Sequence, residues 1–376
     1  MHEFSIHKNE AELNQYNYSL PQRINTPYPH VASGDLLEIL RKVNSTISGS
    51  DVFSFQKKIF LLQEAYMPED STFYSYTVGS LSAKVEERMK KYKEESERKV
   101  GFAIIDRSIG SNFTNEEVFR LQISRGNNND IIARSSEALS PERQMDQLAQ
   151  WVTQNNIQDV QVVDDILAFG QTLVPVVNGV RERLQDVSLG IQVGLTASGG
   201  EWRGYEVLQE KANIVPKYIT LINASPANPK SIGMSIPTSK AMTVFGGYRD
   251  SAASIDRPIS FPHLLPFTIP KTAFFDINKR VEASEKLLDF SDELISFIES
   301  RNRSPFRIGD LVKHGFGIPY TTIDKIKDKF PLPDFSVTVK DYLLQIKDVL
   351  YTQQTLIFEE LEKSNELERQ KYIKNQ

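Results

Sequence analysis

The 376-residue sequence contains no cysteine, which excludes disulfides, thiolate metal sites and cysteine nucleophiles together and accords with a reducing compartment. Histidine is scarce too. Of the five (His2, His7, His30, His263 and His314), only His2 and His7 stand at metal-ligand spacing, in a polar N-terminal stretch, so no zinc site is expected. No segment approaches the uncharged apolar length of a membrane span, and the opening MHEFSIHKNEAELNQYNYSL has no apolar signal region, so the expectation is a soluble, cytoplasmic protein. A basic excess is missing as well: 44 Lys and Arg against 49 Asp and Glu give a formal net charge of -5, no electrostatic footprint for nucleic acid. What is present is ordinary: 40% hydrophobic and 25% charged residues, in a chain long enough for one central domain with substantial additions.

Residues 1 to about 33 lack periodicity and read as an irregular arm. SGDLLEILRKV, from Ser33 or Asp35, and DVFSFQKKIFLLQEAY then predict two helices, ending before MPED at residues 67–70. From there strands and helices alternate, the mark of βαβ units and a mainly parallel sheet. STFYSYTV and KVGFAIIDR read as strands, with a small-residue turn, GSLSA, and a charged helix between them. A Gly/Asn-rich excursion from Ser108 to Ser136, carrying EEVFRLQISRG as its own hairpin, has the length of an active-site lid. PERQMDQLAQWVTQNN predicts a helix, then come the strand DVQVVDD, the helix TLVPVVNGVRERL, the strand SLGIQVGLTAS, a short helix over 205–212 and the strand YITLINAS. The fold class expected is α/β, a Rossmann-like sheet of about five strands flanked by helices. Helical N- and C-terminal additions divide the chain into 1–68, 69–250 and 251–376. Past Pro226 the chain is Pro/Gly-punctuated, with KAMTVFGGY as an edge strand, and the remainder is helical.

The informative string is Val162-Val163-Asp164-Asp165-Ile166-Leu167-Ala168-Phe169-Gly170-Gln171-Thr172-Leu173. A strand ending in two carboxylates delivers them to the C-terminal edge of a parallel sheet, where open α/β folds bind ligands. Carboxylates there accept hydrogen bonds from a vicinal diol. The small-residue turn and helix start that follow turn backbone N–H groups toward an anion, and Thr172 adds a hydroxyl. A diol site beside a phosphate cradle describes ribose 5-phosphate.

The string resembles the signature of type I phosphoribosyltransferases, which bind phosphoribosyl pyrophosphate (PRPP): a hydrophobic strand, two acidic residues, and a turn of the form Ala-Thr-Gly-Gly-Thr. Both acids, Gly170 and Thr172 match. Phe169 stands where the family has Thr or Ser, which removes one hydroxyl from the cradle. The resemblance covers roughly residues 70–226 and implies transfer of 5-phosphoribosyl from PRPP to a nitrogenous base with release of pyrophosphate, assisted by Mg2+ bound through the ligand and Asp164 and Asp165. It places Ala168 to Thr172 at the 5-phosphate, Gly79, Ser80, Leu81 and Arg107 at pyrophosphate, and Arg120 or Arg125 as further neutralising charges. It also implies that the acceptor is read in a variable hood and in the residues after the last core strand, an end that Asn223 and Ser225 occupy, as polar residues do in many α/β proteins.

Plainer readings stand beside these. Asp164-Asp165 also fits an exposed strand end in another open α/β fold, Gly79-Ser80 a tight turn, the arginines solvated loop charge, and Phe169 a residue packed under the turn. Phe169 and the large flanks equally suit a module that senses PRPP without turnover, or an effector acting on a nucleotide-type target. FRIGDLVKHGFGIPYTTIDKIKDKF hints at a helix-turn-helix, but the charge balance favours a helical bundle. The stripe Val339, Leu343, Ile346, Leu350, Ile357 and Leu361 suits core, or contact with a second copy or a partner protein.

Overall fold

Short buried runs of β-branched and aliphatic residues separated by amphipathic helices are what a parallel sheet requires. A computed structural model of the chain joins six such runs into one sheet. The structure describes residues 20–26, 28–33, 40–41, 43–65, 71–105, 109–110, 112–125, 131–133, 138–167, 170–199, 203–223, 233–235, 249–250, 259–260, 280–313, 328–329, 331, 334–357, 359–360 and 362–363. The described elements, in chain order, begin with β1 (Arg23–Ile24), β2 (Tyr28–Ser33), α1 (Gly49–Ala65), β3 (Ser71–Tyr76), α2 (Val78–Glu95), β4 (Val100–Ile104) and β5 (Val118–Arg120). There follow β6 (Ile123–Arg125), β7 (Ile131–Ala133), α3 (Pro141–Gln154), β8 (Asp159–Leu167), α4 (Leu173–Arg183), β9 (Ser188–Ser198), α5 (Gly204–Ala212) and β10 (Lys217–Asn223). The remainder are β11 (Gly233–Ser235), β12 (Arg249–Asp250), β13 (Ile259–Ser260), α6 (Arg280–Asn302), α7 (Ile308–Lys313) and α8 (Val339–Thr352).

The main sheet has the order β1-β10-β9-β8-β4-β5, and every neighbouring pair is parallel. The α/β, Rossmann-like class expected from the sequence is the class observed, with two corrections to the strand list. STFYSY, expected as the first core strand, is β3. It pairs in parallel with β2, and β2 with β11, in a separate three-stranded sheet. The physical reason is where its apolar surface is buried. Tyr76 and Val31 pack with Leu81, Leu195, Ala197 and Ile222, so the small sheet covers a face of the main one instead of extending it. Pro29 is tolerated in β2 because β11 begins pairing only at His30, leaving Pro29 with a neighbour on one side alone. The second correction concerns the excursion. Val118–Arg120 is the edge strand of the main sheet, paired with β4, and the hairpin is formed by β6 and β7.

One face of the main sheet is covered by α3, α4 and α5, whose Met145, Leu148, Val152, Leu173, Val176, Val177, Val180 and Leu208 bury against Val160, Val162, Ile191 and Val193. Pro141 opens α3 at a position whose N–H has no partner in a helix anyway, after Ser140 as the N-cap. The opposite face receives α2 through Val85 and Met89, against Val100, Phe102, Ile104 and Val163. Away from the sheets, α1 packs on α6, with Phe55 against Phe290 and Phe297 (centroids 6.0 and 5.2 Å) and Lys58 paired with Glu293 at 2.5 Å. α6 also packs on α8, where Val339, Leu343, Ile346, Leu350 and, just beyond, Ile357 are all buried. That stripe is core. The N- and C-terminal helical additions thus bury against each other. Ser33, one of the two expected helix starts, ends β2 instead, and the arm expected to be irregular carries β1 and β2; residues 34–39 of that helix, the segment KAMTVFGGY, Leu361 and residues 314–327 of the expected helix-turn-helix lie outside the described residues. Among the described residues no helix is long and apolar enough to cross a membrane.

Candidate functional site

The connections leaving β4 and β8 diverge: β4 leads to β5 on one side, β8 through α4 to β9 on the other. Between two such strands the loops part and a crevice opens at their carboxyl ends, the position at which open α/β sheets bind ligands. Asp164 and Asp165 lie there. The last β4–β8 pair is Ile104 with Val163, and one further bond, from the Ile105 N–H to the Val163 carbonyl (2.9 Å), closes that ladder. From Asp164 onward β9 is the only strand neighbour of β8 among the described residues, and β8 continues to Leu167, so the doublet lies at a step in the sheet edge and not, as the sequence suggests, at the strand's end.

The backbone at the doublet is irregular in a way that matters. In a regular strand, alternate residues share a face. Val160 and Val162 face the α3–α5 layer and Val163 the α2 layer, yet beyond the doublet Ile166 joins the α2-side cluster and Leu167 the α3–α5 cluster. The alternation has slipped by one residue. β9 slips with it, since Ile191 and Val193 face one way and Leu195 and Ala197 the other. The ladder pairs Asp164 with Val193 and Ile166 with Leu195, skipping Asp165 and Gly194. Gly194 allows this: a Cβ there would stand 2.7 Å from the Asp165 carbonyl oxygen and 2.9 Å from Leu81 Cδ1. At the slip, two adjacent carboxylates are released from the rule that sends neighbours to opposite faces. Asp164 is 8% exposed and its Oδ1 accepts the Asp165 N–H at 3.1 Å, while Asp165 is half-buried.

Ala168 and Phe169 lie outside the described residues. Gly170 follows with φ +72°, a left-handed conformation that favours glycine, and a Cβ there would meet Val207 of α5 at 2.9 Å. Its carbonyl accepts the Val174 N–H at 2.9 Å, so the chain is already winding into α4. Gln171 is half-buried, and Thr172, the half-buried N-cap of α4, makes no side-chain capping bond.

The pyrophosphate residues fare less evenly. Gly79, Ser80 and Leu81 are not a turn but the first turn of α2, capped by Thr77. The Ser80 N–H donates to Thr77 Oγ1 (3.0 Å), its hydroxyl donates to the Thr77 carbonyl (2.9 Å), and the Leu81 N–H donates to the same carbonyl (3.0 Å). Leu81 is buried, and its side chain lies under Gly194, which brings this helix start beneath the doublet. Gly79 is exposed. Arg107 and the Arg125 side chain lie outside the described residues. Arg120 is on β5, where its Nη1 donates to the Ile109 carbonyl at 2.9 Å. Asn223 Nδ2 bonds Asn25 at the neighbouring strand end, and Ser225 is not described.

Two carboxylates that the sequence did not single out belong to this edge. Glu86 on α2, 4% exposed, accepts the Gly110 N–H (2.6 Å) and the Asn112 amide (2.5 Å), pinning the segment that follows β4. In sequence it is indistinguishable from the solvated glutamates of its helix. Glu206, in the first turn of α5, accepts Ser198 Oγ–H (2.5 Å) and the Gly199 N–H (3.0 Å) on Oε1; its Oε2 is buried with no hydrogen-bond partner among the described residues. An acidic residue in a first turn was the available signal. Among the described residues no three His, Asp or Glu stand together as a metal cage.

The opposite end of β8 is polar too. Asp159 accepts Tyr92 Oη–H and the Gln161 amide, both at 2.7 Å, and Gly190 makes room for Gln161, whose amide a Cβ would meet at 2.4 Å. Burial, then the Asp159 hydrogen bond and charge, push the Tyr92 phenol up to about 12. Compared with protein-family models, curated proteins and solved structures, the chain finds no match in any of the three.

Proposed function

We propose that this chain binds PRPP with Mg2+ at the carboxyl edge between β4 and β8 and transfers its 5-phosphoribosyl group to a nitrogen nucleophile. The observation that carries the reading is the position of Asp164 and Asp165 at the divergence of the β4 and β8 connections, on a slipped backbone followed by the left-handed Gly170 and the α4 N-terminus. In this reading Asp164 and Asp165 accept hydrogen bonds from the ribose diol. Gly170 to Thr172 hold the 5-phosphate with the helix N-terminus and the Thr172 hydroxyl. Two adjacent carboxylates suit Mg2+, which takes one or two carboxylates together with substrate phosphates, and bound there it would neutralise charge on the departing pyrophosphate. The C1–O bond breaks with its electron pair leaving on pyrophosphate, the acceptor nitrogen's lone pair forms the new C1–N bond, and the acceptor gives up a proton to solvent. No protein nucleophile is required.

The test is pyrophosphate release from PRPP and Mg2+ with a panel of bases. Release that disappears in Asp164→Asn/Asp165→Asn supports the reading, and unchanged release in that variant removes the doublet from the mechanism. A second reading, a PRPP sensor without turnover, is favoured by the engagement of Ser80 in its own helix cap and by Phe169 in place of a hydroxyl residue. Its signature is calorimetric binding of PRPP with no pyrophosphate released by any base.

A further inference from the structure

Strands β4 and β5 are parallel, yet among the described residues no helix carries the chain from one to the other. The connection returns along α2 instead. Phe113 packs on Phe102 in the α2-side cluster, with ring centroids 5.5 Å apart. α2 holds the connection at two points seven residues apart, and so on one side of the helix. Glu86 accepts the Gly110 N–H (2.6 Å) and the Asn112 amide (2.5 Å) near its start, and Lys93 pairs with Glu117 near its finish. Between β4 and Gly110, Ile109 is fully buried and its carbonyl takes the Arg120 guanidinium at 2.9 Å. Gly110 has φ +83°, and a Cβ there would strike Ile104, so only glycine lets the chain pass this close. The exit of β4 is thus fastened at Ile105, on Val163, and again at Ile109, Gly110 and Asn112.

The same helix reaches the doublet. A Cβ on Gly194 would touch both Leu81 of α2 and the Asp165 carbonyl, so Leu81 supports the slipped backbone from below. Glu86 follows five residues later, about 7 Å along the helix axis. We propose that Glu86 is a positioning residue of the ribose-phosphate site: through Gly110 and Asn112 it sets the β4 side of the crevice against Asp164 and Asp165, with α2 as the common support. This rests on the PRPP reading of that site. Glu86 is 4% exposed and meets no ligand; it acts through the two groups it holds. Alignment of this kind matters to function, since a displacement of about an ångström costs up to about a hundredfold in rate, and a loosened wall must be ordered again when ligand binds.

The experiment is calorimetric titration of PRPP with Mg2+ into the full-length wild type and into Glu86→Leu, Glu86→Gln, Asn112→Ala and Lys93→Met, with thermal melts of each. Glu86→Leu keeps an apolar body in place and accepts neither bond, and PRPP should bind about tenfold more weakly. Glu86→Gln restores an acceptor for Gly110, and its amide pairs with Asn112 once the Asn112 amide turns over, so affinity should return to within about threefold of wild type. Asn112→Ala cuts one bond and should weaken binding several-fold; it decides the matter if Glu86→Leu does not fold. Lys93→Met releases the far end of the same connection and should lower the melting temperature slightly with PRPP affinity unchanged. Wild-type affinity in folded Glu86→Leu or Asn112→Ala, failure of Glu86→Gln to rescue, or an equal loss in Lys93→Met would overturn the assignment, the last by showing that any loosening of the connection suffices. No binding of PRPP by the wild type would instead sink the reading of the site itself.

Discussion

Strand β8 carries acidic residues at its start and again where its pairing with β4 stops, and their surroundings differ in kind. Asp159, 3% exposed, is held by two side-chain donors, Tyr92 and Gln161, in a layer where Gln192 also reaches toward Gln161. Asp164, 8% exposed, sits where the sheet steps and its alternation slips, with the Asp165 N–H on its Oδ1. The first environment locks a carboxylate into the fold. In the proposed reading, the second presents a carboxylate pair to a ligand at the step between β4 and β8. Burial alone does not separate the two; the regularity of the backbone does.

If that contrast is right, the amino end should dominate stability and the carboxyl end ligand binding. Asp159→Ala strands the Tyr92 hydroxyl proton and leaves the Gln161 amide only its longer bond to Tyr92 Oη (3.1 Å), and a loss of about 3 kcal/mol is expected in urea unfolding, with PRPP affinity of the folded fraction unchanged. Gly194→Ala drives a methyl group into the Asp165 carbonyl and Leu81. A loss of about 1–3 kcal/mol should come with weakened PRPP binding, since the slip that presents the doublet is disturbed. A Gly194→Ala protein that binds PRPP normally would show that the slip does not serve the site.

The sequence announced the doublet and not its setting. The strands 159–167, 188–198 and 217–223 and the helices between them were legible because each has a strong period and a buried face. Arg23–Ile24 was invisible, because two residues carry no period and join the sheet only through the Leu221–Ile222 ladder. STFYSY was rightly a strand, but sheet membership is decided by which surface Tyr76 and Val31 can bury, a tertiary matter. GSLSA reads as a turn in sequence because Gly-Ser is turn chemistry; Thr77 three residues before Ser80 makes it a capping box instead. Glu86 and Glu206 escaped because their partners, Gly110 and Ser198, are fixed by folding and not by spacing.

A smaller effect is expected at the sheet's β5 edge, away from both ends of β8. The Lys93 hydrogen bond, helped by Thr114, holds the Glu117 carboxyl down from its ordinary 4.5 to about 2. A depressed acid stabilises the fold fully above its ordinary value, and that contribution is lost as pH falls from about 4.5 through about 2. Because the pair is partly exposed, it amounts to about 1 kcal/mol or less. Glu117→Gln should therefore flatten the acid limb of the stability curve between those pH values and leave neutral stability only slightly reduced, as read by thermal melts across the range.

The most direct measurement is calorimetric titration of PRPP with Mg2+ into the wild-type chain and into Asp164→Asn/Asp165→Asn, with thermal melts confirming that both are folded. Saturable binding to the wild type that falls by a hundredfold or more in the double variant, with melting temperatures close together, is the predicted result, since each carboxylate contributes at least one charge-assisted hydrogen bond. Equal binding by the two proteins, or none by the wild type, would contradict a ribose-phosphate site at the step between β4 and β8.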